Sequence, residues 1–86
     1  MSERFNELIN RANDSFIRDN VYQVSKTLLA RALKTADPAS RQKVYRNMNE
    51  GMAEEIRNLI AGLGAISPEE SEAAQREIIS MAAPYI

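Results

Sequence analysis

The sequence predicts an all-α fold, a compact bundle of about six short helices, on three observations. Apolar residues recur at the i, i+3, i+4, i+7 spacing of amphipathic helices, and no run favours a strand. Short polar residues that cap helix N-termini (Asp14, Ser25, Asp37, Asn49 and Ser67) stand just ahead of those segments. Proline directly follows a capping residue at Pro38 and Pro68, the first helical position, where its missing N–H is not needed.

The first helix carries Phe5, Leu8, Ile9 and Ala12 on one face. Asn13-Asp14-Ser15 interrupts it, and Asp14 is read as the cap of a short second helix with Ile17, Val21 and Val24. No glycine or proline divides the second helix from the third; the break is placed near Ser25, which caps a stripe of Leu29, Ala32, Leu33 and Ala36. Asp37-Pro38 opens a fourth helix over residues 38–46, with Val44, Tyr45 and Met48 as its apolar contribution. Asn49 caps a fifth from Glu50 to Leu63, whose Met52, Ile56, Leu59, Ile60 and Leu63 form the cleanest apolar face in the chain. Either Gly62 or Gly64 can take the left-handed conformation that ends it. Ser67-Pro68-Glu69-Glu70 is a capping box with acids in the first turn, where they suit the helix dipole. The sixth helix presents Ala74, Ile78, Met81 and Ala82, and Pro84 closes it.

Composition bounds the function. A chain of 86 residues is expected to form a single domain, residues 1–86, burying roughly 60–65% of its unfolded surface. Hydrophobic content of 44% against 27% charged is a globular balance. A formal net charge of −1 supplies no field to hold a phosphate backbone, so nucleic acid is not an expected partner. With no cysteine there is no disulfide framework or thiolate metal site, which fits a reducing compartment, and with no histidine the commonest general base and metal ligand are missing. The start, MSERFNELIN, has charges where a signal peptide needs an apolar run, and no run reaches membrane-spanning length. A cytoplasmic protein without direct membrane insertion is the expectation.

No catalytic constellation or cofactor site emerges. Glu54 and Glu55 are adjacent, so on a helix they diverge by about 100° and cannot face one another. Glu69, Glu70 and Glu72 have the oxygen ligands of a hard-cation site, but helix-start acids explain them better. Gly62-Leu63-Gly64 lacks the strand that a phosphate loop follows. Tyr22 and Tyr45 are read as half-buried packing residues. Arg41, Lys43 and Arg46, with Arg31 and Lys34 near, admit a basic recognition helix. The acids that follow, Glu50, Glu54 and Glu55, make a solvated mixed-charge surface the better reading.

A series of short motifs at constant spacing gives a more specific signal. Ala32-Leu33-Lys34, Asp37-Pro38, Arg41-Gln42-Lys43 and Arg46-Asn47-Met48 follow one another in that order. Together they resemble the FliG C-terminal domain family of flagellar motor switch proteins, in which an Ala-Leu-Lys helix end precedes a Leu-Arg-Glu-Lys helix and an Asn-Met-Ser turn. Here that turn reads Asn47-Met48-Asn49. Ala53-Glu54, Ile56-Arg57 and Ile60 resemble the family's next helix, and Gly64-Ala65-Ile66 stands where it has Gly-Pro-Val. The segment from Glu72 through Ala73, Ala74, Gln75, Arg76, Glu77 and Ile78 to Ile79 is similar to its final helix. Upstream only Asp14, Ile17, Val21 and Val24 are compatible, and Phe5-Asn6-Glu7-Leu8 is faintly similar to Phe-Glu-Asp-Ile. The likeness covers about residues 14–82.

The resemblance implies a six-helix domain at the outer edge of the rotor, at the cytoplasmic face of the flagellar basal body. It implies protein partners: neighbours in the rotor ring, and the cytoplasmic loop of the stator, whose charges meet a charged ridge on this domain. The sequence sets no oligomeric state, although exposed apolar helix faces in such domains can exchange between chains and so allow a homo-oligomer. Such a ridge acts through many weak contacts, because exposed charge pairs contribute only about 0–1 kcal/mol each. Carried over position by position, Lys34 keeps the ridge lysine. Gly51 and Ser67 stand where the family has arginine, and Asn58 and Leu59 where it has two consecutive acids. Glu54 and Arg57 match other charged family positions and join Lys34 as candidate partner-facing residues.

Two functions are therefore expected to compete. One is a rotor switch domain for torque generation or switching that lacks most of its stator-facing charges. The other is a non-motor helical module for interaction or assembly on the same scaffold. A small enzyme is disfavoured by the missing histidine and cysteine and by the lack of a carboxylate dyad.

Overall fold

Helix starts in this chain are made by short polar side chains that turn back onto exposed backbone N–H groups. In the computed structural model, which describes residues 3–82 and the side chains of residues 3–81, five helices begin this way. Ser25 Oγ accepts from Leu28 N–H at 3.1 Å, Asp37 Oδ1 from Ser40 at 2.7 Å, Asn49 Oδ1 from Met52 at 2.7 Å and Ser67 Oγ from Glu70 at 3.2 Å. The remaining cap corrects an expectation. Asn13, not Asp14, caps the second helix, in extended backbone (φ −78°, ψ 163°), with its Oδ1 accepting from Phe16 N–H at 2.8 Å. Asp14 is the first helical residue, and its carboxylate is turned to the fourth helix instead.

The elements are α1 (Glu3–Arg11), α2 (Asp14–Val21), α3 (Lys26–Lys34), α4 (Pro38–Tyr45), α5 (Glu50–Leu63) and α6 (Pro68–Ala82). Among the described residues there is no strand, so the all-α expectation holds, and the break at Ser25 is where the sequence put it. Gly64 ends α5 with φ 64° and ψ −142°, while Gly62 stays within the helix. The two glycines therefore have different roles, and only Gly64 uses the backbone freedom of its type. Pro84, expected to close α6, lies outside the described residues, as does the side chain of Ala82.

α3 is the central element, packed against α5 on one side and α6 on another. That double contact explains why Ala30 is fully buried together with the expected Leu29, Ala32, Leu33 and Ala36. One apolar stripe predicts one covered face, whereas alanines on two faces let two helices approach closely. α1 packs against α4 and α6, and α2 against α4, with Phe5, Ile9, Ile17, Val21, Val44 and Ile78 completing the core.

Two expected core residues are on the surface instead. Leu59 is 37% exposed and Met81 46% exposed. Leu59 sits at the margin of the α5 stripe, since a step of about 100° per residue sets it apart from Ile56 and Ile60. Ala53, which the stripe omitted, is buried at its other margin.

The seam between α3 and α6 is partly polar. Thr35 and Ala36 N–H groups both donate to Leu33 O, which leaves the last carbonyls of α3 without intrahelical partners. α6 supplies them: Ser71 Oγ donates to Arg31 O at 2.6 Å, and Gln75 Nε2 donates to Ala32 O at 2.9 Å. Thr35 Oγ1 joins both side chains, 2.8 Å from Ser71 Oγ and 3.0 Å from Gln75 Nε2. Ser71 and Gln75 are buried, and the apolar pattern alone did not reveal them.

Candidate functional site

The outward surface of α5 follows from its helical step. Met52, Ala53 and Ile56 are buried, with Ile60 and Leu63 packed beside them. A step of about 100° per residue then sets Gly51, Glu54 and Asn58 at the centre of the opposite face, where all three are exposed. Arg57 lies on the flank toward α4, and Glu55 and Leu59 lie on the other. Glu55 pairs with Lys26 at the start of α3, and Arg57 Nη2 pairs with Glu50 Oε1 at 2.7 Å.

The candidate residues Lys34, Glu54 and Arg57 are not joined to one another by any ion pair or hydrogen bond among the described residues. Lys34 is partly buried in the last turn of α3, and Glu54 is exposed, each without an ion pair among the described residues. Of the changed ridge positions, Ser67 is committed to capping α6. Gly51 has helical backbone, and a Cβ there would meet only Asn49 Oδ1, at an ordinary 3.5 Å. A side chain fits at that position.

The Asn47-Met48-Asn49 turn, which carried much of the resemblance, is structural. Asn47 is buried and donates through Nδ2 to Asp14 Oδ1 at 2.9 Å and to Lys43 O at 2.8 Å. Arg46 pairs with the same Asp14 oxygen at 2.9 Å. The Asn47 amide and then the Arg46 guanidinium hold the Asp14 carboxyl below its ordinary value, since both stabilise the charged form. The Asn49 N–H donates to the Tyr22 hydroxyl at 2.8 Å, so Tyr22, 51% exposed, ties α2 to the turn rather than packing in the core. Lys43 Nζ reaches the Asn10 and Ala12 carbonyls at the end of α1. These cations of α4 thus hold neighbouring helices, which further weakens the recognition-helix reading.

Sequence reasoning missed the flank between α4 and α5. There Arg57 lies over the Tyr45 ring with Cζ 5.2 Å from its centroid, a cation–π arrangement. Burial pushes the Tyr45 hydroxyl above its ordinary value, and the nearby Arg41 and Arg57 charges pull the other way. The signal was in the sequence, because Pro38, Arg41, Gln42 and Tyr45 share one helical face, but their partner on α5 was not evident from spacing within α4.

Among the described residues no group of three or more acidic side chains is placed to hold a metal ion, and no helix is long and apolar enough to cross a membrane.

Known proteins share much of this sequence. The chain matches the FliG C-terminal domain over residues 3–85. It is 37% identical over 70 residues to the flagellar motor switch protein FliG of Pseudomonas aeruginosa, which covers 81% of this chain and 21% of that protein. It is 34% identical over 70 residues to the protein of the same name from Vibrio cholerae, covering 81% of this chain and 20% of the other. The chain therefore spans about a fifth of the length of the curated relatives it matches. With six helices in order among the described residues and the match running over nearly its whole length, the chain belongs to the FliG C-terminal domain family.

Proposed function

We propose that this chain is a rotor-type switch domain of the flagellar motor, a single protein-binding module, residues 1–86, without a catalytic role. The observation that carries this reading is the family match over residues 3–85, supported by relatives that are motor switch proteins. Its partners are proteins: neighbouring subunits of the rotor ring, and the stator's cytoplasmic loop, at the cytoplasmic face of the basal body. Lys34, Glu54 and Arg57 are the charges offered to the stator. Gly51, Asn58, Leu59 and Ser67 are ridge positions that offer none. No observation favours a non-motor assembly module over this reading.

The reduced charge set leads to a specific functional expectation. Surface ion pairs each contribute little, about 0–1 kcal/mol, so a ridge holds a partner only through several at once. A domain with one ridge charge in place of five sites assembles into the rotor and transmits torque weakly. The test is to exchange this domain for the C-terminal domain of the Pseudomonas aeruginosa FliG and measure swimming and flagellar assembly. Assembled flagella with reduced rotation are expected, and Gly51→Arg, Asn58→Asp and Leu59→Asp together should raise swimming speed. Failure to assemble flagella at all, with the domain folded and expressed, would overturn the rotor reading.

A further inference from the structure

We propose that the cleft between α4 and α5 is a docking site for an acidic peptide segment of a protein partner, with Arg41 and Arg57 as the groups that take its carboxylates. The cleft is shallow and open, about 290 Å³, and is lined by Pro38, Arg41, Gln42, Tyr45, Arg57 and Ile60. The rotor reading offers Arg57 to the stator but assigns neither Arg41 nor the cleft as a whole, and the inference holds for whichever protein presents the acid.

Its charge points to the ligand. Among the described residues, both ionic groups lining the cleft are guanidinium groups, and no carboxylate lines it. Arg57 is shared between the Tyr45 ring at 5.2 Å and Glu50, whose side chain is 84% exposed. So exposed a partner is readily exchanged for another carboxylate, since pairs of that kind contribute little. Arg41 is partly buried on the α4 side, and among the described residues its guanidinium makes no ion pair or side-chain hydrogen bond. A partly desolvated, unmatched cation gains more from an arriving anion than a fully solvated one. Arginine also presents parallel N–H donors that match the two oxygens of a carboxylate.

The floor selects a peptide over a free anion. Pro38, the Tyr45 ring and Ile60 supply an apolar strip beside the two cations. Inorganic phosphate would engage the guanidinium groups and leave that strip wet. A glutamate beside an aliphatic residue covers both, and burying the aliphatic side chain adds the apolar contribution that an exposed ion pair lacks. Gln42 on the same face offers an amide for the peptide backbone.

The experiment titrates the 86-residue chain with an acetylated, amidated hexapeptide Ala-Leu-Glu-Glu-Leu-Ala. The Arg Nε–H and backbone amide signals are followed by NMR. The same peptide with both glutamates replaced by glutamine, and sodium phosphate at equal ionic strength, serve as comparisons. Saturable shifts at the Arg41 and Arg57 Nε–H groups and at Tyr45 are expected from the glutamate peptide. Binding by the glutamine peptide, and by the Arg41→Gln variant, should be weaker by about fivefold or more. Arg31→Gln, on α3 and outside the cleft, should leave affinity unchanged, and unchanged unfolding midpoints establish that both variants are folded. If Arg41→Gln is unfolded, Arg57→Gln serves in its place with the same expected loss. Equal binding by the glutamine peptide overturns the proposal, as do equal shifts from phosphate alone or retained affinity in the folded Arg41→Gln or Arg57→Gln variant. The readout is affinity in solution, so a failed motility exchange leaves this result independent.

Discussion

Along the seam of α3 and α6, polar side chains are buried and fully used; along the outer face of α5, polar side chains are exposed and hold nothing. Ser71 and Gln75 complete the carbonyls that the end of α3 leaves open. Gly51, Glu54 and Asn58, by contrast, make no side-chain bond to another element among the described residues. Folding therefore dictates the seam and is nearly indifferent to the outer face. Residues on that face are where a partner's requirements, or their relaxation, can be written without cost to the scaffold.

The sharpest way to break this contrast is to delete one group from each side. Gln75→Ala removes a fully enclosed side chain, takes away the Nε2 donor shared by Ala32 O and Thr35 Oγ1, and opens a cavity. A loss of about 2–4 kcal/mol follows from the combined cavity and unsatisfied-carbonyl terms. Asn58→Ala, on the outer face, should change stability by no more than about 0.5 kcal/mol. Urea unfolding of both variants checks the pair, and comparable losses would show that the face is not free.

The two glycines near the end of α5 repeat the contrast on the backbone. Gly64→Ala forces φ 64°, ψ −142° on a residue with a Cβ, at a cost of about 1–3 kcal/mol. Gly62 is helical with open space where a Cβ would stand, so Gly62→Ala should gain up to about 1 kcal/mol. Opposite shifts in melting temperature are the expected result.

Asp14 lies between these extremes, half exposed yet holding α2 to the turn after α4. Its folded pKa is below the ordinary 3.8. Its stabilising contribution is therefore fully present above that ordinary value and is lost as pH falls through the lowered folded value. Urea midpoints measured across this acid range should fall more steeply in the native chain than in Asp14→Asn. Parallel curves would mean that the Asn47 and Arg46 bonds add no stability.

Much of the scaffold was legible because caps and stripes are local. Ser25, Asp37, Asn49 and Ser67 each act through an N–H three residues on, and spacing alone finds such pairs. Asp14 was misread because Asn13 and Asp14 are both good caps, and what separates them is the long-range tie to Arg46 and Asn47. Gln75 and the Arg41–Tyr45–Arg57 cleft were invisible for the same reason: their partners lie on other helices. Leu59 was placed in the core because an amphipathic stripe has no sharp edge in sequence, whereas the packing of α3 against α5 gives it one.

The smallest expected effect is also the most informative about the outer face. Gly51→Arg, Asn58→Asp and Leu59→Asp together place three charges on α5. An arginine at Gly51 meets no steric obstacle at Cβ and gains up to about 1 kcal/mol of helix propensity. Its position in the first turn opposes the dipole by about 0.3–1 kcal/mol. The new acid at Asn58 falls one turn after Glu54, and that at Leu59 one turn after Glu55, each repelling by about 0.2–0.5 kcal/mol. The arginine, one turn ahead of Glu54 and Glu55, offsets part of that repulsion. Stability within about 1 kcal/mol of the native chain is expected, read as an unfolding midpoint that barely moves. If the triple variant instead unfolds, the uncharged residues at these positions reflect a demand of the fold. If it is as stable as the native chain, folding did not exclude them, and the reason for their absence has to be sought in what the domain binds.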